Sequence, residues 1–114
     1  MTLDDYFSTG PPLERPMFET VMATLRDVGS ITVEPVSVGI FLKRAQTFAQ
    51  LRPMQQWVAL SFGLRHRATH RTITRKLIEY NGRYHHVANL RSVADFDSTL
   101  ADLVIEAYLD SPAG

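Results

Sequence analysis

A short basic segment between two predicted strands holds the residue types best suited to chemistry in this chain. The twelve residues from Arg65 to Lys76 include four arginines, one lysine, two histidines and no acid. Arginine suits phosphate because its planar guanidinium donates two parallel hydrogen bonds to one oxyanion. The alternative is a solvated loop, which is also consistent with the general excess of arginine over lysine, ten to two in the whole chain.

The histidines of this segment, His66 and His70, stand four residues apart. On a helix this spacing places both on one face, as in a zinc pair. The segment lies between strand patterns, however, and its arginines would repel a cation, so no metal site is predicted. His85 and His86 are adjacent in a predicted strand and therefore point to opposite faces. We interpret His86 as a core histidine with its hydrogen bonds made inside the fold.

Catalytic and cofactor motifs are absent from the sequence. It has no GxSxG elbow and neither common Gly-rich phosphate loop. It also has no cysteine, which excludes disulfides, thiolate zinc sites and cysteine nucleophiles. We therefore predict no catalytic residue and no cofactor, and a binding module is favoured over an enzyme. An enzyme would need a concave site that gathers His85, Arg83 and an acid.

Charge is distributed unevenly although the chain is neutral overall. Residues 43–91 hold ten Lys or Arg and one acid, Glu79, for a net charge of +9. The flanks hold eleven acids and two bases, for a net charge of −9. Such an asymmetry favours an anionic partner. The alternative is that acidic helices neutralise a basic sheet within one domain.

Helices are predicted at both ends of the chain. Apolar residues recur at helical spacing over residues 13–28, and Gly29 follows the last of them. A second helix is predicted over residues 93–109, where Ser92 and Asp95 resemble a capping box. We expect a single domain, 1–114, with an acidic N-terminal arm at 1–12 and a short tail at 110–114.

Between the helices the apolar period changes to two, which predicts antiparallel strands. The strands are expected over 36–43, 47–52 and 56–64, and the Asn81-Gly82 dipeptide predicts a hairpin in which Tyr80 faces Arg83. The expected fold is α+β, with an antiparallel sheet of about five strands. Its N-terminal and C-terminal helices are expected to pack on one face.

The other face of the sheet is predicted to be basic and aromatic. The strand residues assigned to the core by alternation are Val36, Val38, Ile40, Leu42, Val58, Leu60, Phe62, Leu64, Leu77, Tyr84, Ala88 and Leu90. The candidates for binding an anion or nucleic acid, from this face and from the basic segment, are Lys43, Arg52, Arg65, Arg67, Arg71, Lys76, Arg83 and His85. The candidates for stacking or for an interface are Phe41, Phe48, Trp57 and Tyr80, and the small residues between them are Ser37, Gly39, Ala59, Ser61 and Gly63.

Aromatic and basic residues above small ones suit three uses. Rings stack on the bases of single-stranded nucleic acid while Arg and Lys hold phosphates. The same face could hold a small anionic ligand, or it could pair with its own copy in a homodimer. Alternatively, a strongly twisted sheet could fold Trp57 and Phe41 into a second small core. We favour a binding module for an anionic partner, with nucleic acid as the preferred class.

Four segments, in this order along the chain, resemble a bacterial family of domains of unknown function, number 5655. They are DDYFSTGPPLERPMFETV, FLKRAQTFAQLRPMQQWVALSFGL, ITRKLIEYNGRYHHVANLRS and DFDSTLADLVIEAY. The resemblance implies a small α+β domain and no established activity, so it transfers no site residues. No apolar run reaches the roughly 20 residues of a membrane span, and the acidic N-terminus is unlike a signal peptide. We therefore expect a cytoplasmic protein without a membrane partner.

Overall fold

The computed structural model describes residues 2–80 and 82–111, which form helices on a β-sheet. The elements are α1 (Leu3–Phe7), α2 (Glu14–Arg26), β1 (Thr32–Val36), β2 (Gly39–Lys43), β3 (Thr47–Pro53), β4 (Val58–Leu64), β5 (Ile78–Tyr80), β6 (Arg83–Leu90), a short 3-10 helix (Val93–Asp95) and α3 (Ser98–Asp110). The predicted α+β class, with an antiparallel sheet and helices from both ends of the chain, is confirmed.

The sheet has six antiparallel strands in the order β1-β2-β3-β4-β6-β5. The strand beyond the predicted five is β1, of which the predicted strands contained only Val36. The prediction of one continuous strand over residues 36–43 is wrong. Val36 ends β1 and Gly39 begins β2, with a turn at Ser37 and Val38 between them. Val38 is 53% exposed instead of buried. Alternation of apolar residues continues through this two-residue turn, so the pattern alone does not reveal it.

Both long helices contribute to a single core on one face of the sheet. Eight of the twelve strand residues assigned to the core are buried there; they are Ile40, Leu42, Val58, Leu60, Phe62, Leu64, Ala88 and Leu90. Val36, Leu77 and Tyr84 are half-buried. From the helices, the buried apolar side chains are Met17, Phe18, Val21, Met22, Leu25, Leu100, Val104, Ala107 and Tyr108. Burial of this apolar surface supplies the main driving force of folding.

The helix boundaries follow local capping. α2 lies within the predicted range of 13–28. The capping box of Ser92 and Asp95 is present, but it caps the 3-10 turn, and the helix predicted over 93–109 is interrupted. α3 begins afresh because Asp97 accepts a hydrogen bond from the Leu100 backbone N–H. The N-terminal arm contains α1, and the Thr2 hydroxyl caps it by accepting from the Asp5 N–H.

The hairpin of β5 and β6 has the predicted register. Tyr80 lies opposite Arg83, and Ile78 lies opposite His85. Gly82 has a φ of +74°, which glycine adopts readily. Asn81, the first residue of the predicted turn dipeptide, lies outside the described residues. So do residues 112–114 of the predicted tail, whereas Asp110 still belongs to α3.

None of the helices within residues 2–80 and 82–111 combines the length and the apolar character needed to cross a bilayer.

Candidate anion-binding groove

The face of the sheet opposite the helix core, which we call the open face, carries a groove along β4, and one end of this groove reaches the C-terminal end of α3. Val58, Leu60, Phe62 and Leu64 point into the core, so the alternate residues of β4 face outward. These outward residues are Ala59, Ser61 and Gly63. Because they are small and the side chains of β3 and β6 stand beside them, a depression follows the strand over the roughly 13 Å from Ala59 to Gly63. We call this depression the β4 groove.

The β4 groove has two adjoining parts. The tyrosine lobe, of ≈ 430 Å³, is lined by Tyr80 and Phe48, by Gly63, and by Arg83. The basic lobe, of ≈ 250 Å³, is lined by Arg52, Arg75 and Lys76, with Ala59 beneath them. Both lobes are lined by Gln50, Ser61 and His85. The lobes therefore adjoin, and these three polar residues lie at the junction between them.

The charged side chains that line the groove, among the described residues, are all basic. No Asp or Glu occurs among the described residues that line either lobe. Within the part of the chain that the structure describes, Arg52, Arg75, Lys76 and Arg83 form no ion pair with a carboxylate. Four cationic side chains therefore surround a concave surface without neutralisation by neighbouring acids. Clefts of one sign raise the local concentration of counter-ions.

Arg83 is anchored at the α3 end of the tyrosine lobe. Pairing between β3 and β4 runs only from Pro53–Val58 to Ala49–Phe62, so the strands separate beyond that point. Ala107 and Ser111 of the α3 end line the groove here. Arg83 Nη2 donates a 2.8 Å hydrogen bond to the Asp110 carbonyl oxygen.

Arg83 thereby satisfies an unpaired carbonyl at the α3 C-terminus, where a cation is also favoured by the helix dipole. A methyl group on Gly63 would lie 3.8 Å from Cδ of Arg83, so the Arg83 side chain passes close above this glycine. The guanidinium is positioned by a neutral carbonyl and keeps its net charge.

The basic segment, residues 65–76, does not gather at the groove as one unit. Its first part lies against acidic residues from the C-terminal region. His66 Nε2 is 2.6 Å from Glu106 Oε2, and Arg71 Nη1 is 3.0 Å from Asp95 Oδ1. Acidic residues near the C-terminus therefore neutralise basic charge in this part of the segment. This agrees with the alternative stated from the sequence, in which acidic helices compensate the basic middle of the chain.

Arg67 also lies away from the groove, with its guanidinium carbon 5.0 Å from the ring centroid of Tyr84. Arg65 is exposed and lines neither lobe. The end of the segment does reach the groove, through Arg75 and Lys76. Arg75 is one of the four arginines of the segment that suit phosphate, although it is not among the individual candidates named from the sequence. The signal that identifies it is its position just before β5, beside Lys76.

Buried hydrogen bonds fix the course of the basic segment. The Ala68 N–H donates to His86 Nε2 at 3.0 Å, and His86 Nδ1 donates to the Tyr84 carbonyl at 2.8 Å. The His86 side chain is fully buried, and burial lowers its pKa because the charged ring would lose its hydration. His86 is thus a core histidine with both ring nitrogens satisfied, as interpreted from the sequence.

His70 and Thr72 hold the middle of the same segment. His70 Nε2 lies 3.0 Å from both carboxylate oxygens of Asp97, and its Nδ1 accepts from the Thr72 N–H at 3.2 Å. The Thr72 carbonyl accepts from the Asn89 N–H at 3.0 Å, which attaches the segment to the edge of β6. These contacts place the end of the segment, with Arg75 and Lys76, at the basic lobe.

The aromatic candidates differ in accessibility. Tyr80 is 73% exposed and stands at the tyrosine lobe. Phe48 lines the same lobe but is buried against Tyr108, with ring centroids 5.3 Å apart. Trp57 is half-buried, and the Arg91 guanidinium carbon lies 5.1 Å from its ring centroid. Tyr80 is the ring best placed for stacking.

Two further candidates from the sequence lie outside the groove. Phe41 is half-buried and lines neither lobe. Lys43 Nζ lies 2.6 Å from Glu34 Oε2, so a carboxylate on the neighbouring strand β1 compensates its charge. Strand pairing brought this acid to Lys43, and the sequence spacing of nine residues does not disclose it.

The described residues offer no group of three or more His, Cys, Asp or Glu side chains arranged to hold a metal ion. The tyrosine lobe does gather His85 and Arg83, two of the three groups that an enzyme was expected to need. The third, an acid, is absent from the described lining. The lining supplies positive charge, hydrogen-bond donors and one accessible ring.

The fold defines the class: an α+β domain in which helices from both ends of the chain share one core with an antiparallel sheet. The chain belongs to the family described as Domain of unknown function (DUF5655), whose model matches residues 3–111. The family membership expected from the resemblance is thereby confirmed. No curated protein and no solved structure matches the chain.

Proposed function

We propose that this domain is a non-catalytic binding module that holds an anionic ligand in the β4 groove. One observation carries the proposal: Arg52, Arg75 and Lys76 converge on the basic lobe, and no acid lines that lobe among the described residues. Basic residues that serve solubility alone have no need to share a concavity. Residues that serve an anion do, because a concave site surrounds the ligand with donors and excludes competing water.

The groove suits an oxyanion in two further respects. Arginine binds phosphate and carboxylate through two parallel hydrogen bonds, so Arg52 and Arg75 supply the strongest common anion contacts. The small side chains of Ala59 and Ser61 leave room for a ligand to approach the strand closely. Because β4 is paired with β3 from Val58 to Phe62 and with β6 along its whole length, strand pairing on both sides holds the base of the basic lobe.

Salt dependence of binding tests the proposal. We expect a fluorescently labelled single-stranded oligonucleotide to bind at about 20 mM salt, a low concentration chosen because salt weakens phosphate contacts. If Arg52, Arg75 and Lys76 neutralise three phosphates, a plot of log affinity against log salt should have a slope of about −2. Inorganic phosphate, titrated in parallel and followed by amide NMR shifts, reports on binding of a single anion.

Charge reversal identifies the location. Arg52→Glu combined with Arg75→Glu should abolish binding of both probes without lowering the melting temperature, because both side chains are exposed. The matched control is Arg26→Glu with Arg65→Glu, which changes the net charge equally at exposed arginines outside the groove. Equal losses in the two double variants would assign binding to overall charge. Absence of binding for both probes at low salt would end the proposal.

A second candidate function is an interface between two copies of the chain, and the β5 edge favours it. β5 is an edge strand of three residues, and it exposes Ile78 at 65% and Tyr80 at 73%. Exposed edges with apolar side chains are prone to pair with other strands. Light scattering at increasing concentration should then show a dimer that Ile78→Lys abolishes. A monomer at every concentration would remove this candidate.

A further inference from the structure

The β4 groove contains two chemically different lobes, and this difference specifies the ligand. The basic lobe offers Arg52, Arg75 and Lys76, which suit a phosphate. The tyrosine lobe offers an exposed ring, Tyr80, beside the buried ring of Phe48. A simple anion would use the first lobe and leave the second unused.

We infer that the groove binds a nucleoside phosphate, with the base against Tyr80 in the tyrosine lobe and the phosphate in the basic lobe. This inference rests on the proposed function and names the ligand class of the same site. The ≈ 430 Å³ of the tyrosine lobe lies within the range typical of small-molecule sites, roughly 300–1,000 Å³.

The groove also matches a nucleotide in length. Ala59 lies in the basic lobe and Gly63 in the tyrosine lobe, four residues apart on one strand. Their separation is about 13 Å, which accommodates a nucleotide extended from its base to its phosphate. Strand β4 therefore runs beneath both lobes.

Polar groups lie where the middle of a nucleotide would be. Gln50, Ser61 and His85 line both lobes, and their amide, hydroxyl and imidazole groups can bond to sugar hydroxyls and to the edge of a base. Bases stack on an aromatic ring whatever their identity, because every base has a π-face. Tyr80 therefore adds affinity for the base, and the polar junction adds orientation.

Four probes separate the two lobes: adenosine 5′-monophosphate, ribose 5-phosphate, adenosine and inorganic phosphate. We expect adenosine 5′-monophosphate to bind about 5- to 150-fold more tightly than ribose 5-phosphate, since stacking of one base contributes a free energy of this order. Amide NMR shifts should move near Tyr80 with adenosine 5′-monophosphate but not with inorganic phosphate, and near Arg52 with both.

Variants of Tyr80 give the sharper test, because its side chain is exposed and its loss leaves the core intact. Tyr80→Ala should reduce the affinity for adenosine 5′-monophosphate to that for ribose 5-phosphate and leave the latter unchanged. Tyr80→Phe retains the ring and should restore binding. Arg52→Ala should weaken both phosphorylated probes by a similar factor.

The outcomes distinguish this inference from the proposed function. Equal affinities for adenosine 5′-monophosphate and ribose 5-phosphate would overturn the nucleoside ligand while anion binding remained. No binding of any phosphorylated probe would overturn both. A hexa-adenylate arm identifies the source of the nucleotide. If hexa-adenylate binds more tightly than adenosine 5′-monophosphate by more than the statistical factor of six, the ligand is a single strand. If the two affinities agree once that factor is allowed for, the ligand is a free nucleotide. Either result supports a nucleoside phosphate in the groove.

Discussion

The substitution His86→Phe tests the hydrogen bonds that attach the basic segment, residues 65–76, to strand β6. His86 is fully buried, and its ring stacks on Phe62 with centroids 5.4 Å apart and an interplanar angle of 4°. It accepts from the Ala68 N–H of the segment and donates to the Tyr84 carbonyl. A phenylalanine side chain retains the ring and the stack but makes neither hydrogen bond.

The expected loss of stability follows from these two bonds. An intramolecular hydrogen bond contributes a net free energy of about 0.5–1.5 kcal/mol, so the variant should unfold about 1–3 kcal/mol more easily. The unfolding entropy is about 2.1 cal/mol/K per residue, and the chain has 114 residues. Each kcal/mol therefore lowers the melting temperature by about 4 °C, which gives a decrease of about 4–12 °C.

The pH dependence of this difference has a definite sign. Burial lowers the pKa of His86 in the folded state, so the unfolded chain takes up its proton at a higher pH. The wild-type protein therefore loses stability from this residue as the pH falls below about 6.5, the ordinary pKa of histidine. The phenylalanine variant has no such proton, so the gap in stability between the two proteins should be full near pH 8 and smaller near pH 5.

Thermal unfolding followed by circular dichroism at several pH values measures both effects. His85→Phe is the control for the stability measurement alone, since His85 also lines the β4 groove. His85 is the adjacent histidine and is exposed, so its replacement should change stability by less than about 0.5 kcal/mol. The His86→Phe variant should also bind the anionic probes more weakly, since the segment that carries Arg75 and Lys76 is less firmly held. A melting temperature unchanged at pH 8, or a gap that stays constant down to pH 5, would refute this reasoning.

Three further predictions concern the groove and two carboxylates. Gly63→Ala should fold normally, since its methyl group would make only ordinary contact with Arg83, and should weaken nucleotide binding by raising the base of the groove; undiminished affinity in calorimetry would count against the site. Burial raises the pKa of Glu14, so the free energy of unfolding of the wild-type protein should fall relative to that of Glu14→Gln as the pH rises from 4 towards 7. Urea unfolding at several pH values measures this difference, and a difference independent of pH would contradict the prediction. The Leu100 N–H lowers the pKa of Asp97, so Asp97→Ala should lower the urea midpoint at neutral pH, and the difference should disappear as acid protonates the wild-type carboxylate; a difference that persists in strong acid would exclude this cause.

The apolar periodicity of the sequence predicted most of the fold. The alternation in 57–64 placed Leu60 and Phe62 in the core and Ser61 on the open face, because successive side chains of a strand point to opposite sides. The Asn81-Gly82 dipeptide located the hairpin for a similar reason, since turn geometry depends on the residues of the turn itself. Periodicity failed at Ser37 and Val38, where a tight turn has the same apolar pattern as a strand.

The groove itself was only partly predictable. The sequence identified four residues that line the groove: Arg52, Lys76, Arg83 and His85. Their positions follow from local pattern, because Arg52 lies in β3, Arg83 and His85 lie in β6, and Lys76 lies just before β5. The strand order that sets β4 between β3 and β6 depends on contacts between residues far apart in the chain. No local pattern reports that order.

The sequence by itself determined the α+β class, the core face of the strands and the concentration of basic charge in the middle of the chain. Only the tertiary structure decided which of those charges have partners. Arg71 meets Asp95 from a distant part of the chain and Lys43 meets Glu34 across a strand pair, whereas Arg52 and Arg75 meet no acid among the described residues. The physical reason is that charge is a property of single residues, but its compensation is a property of distances in space.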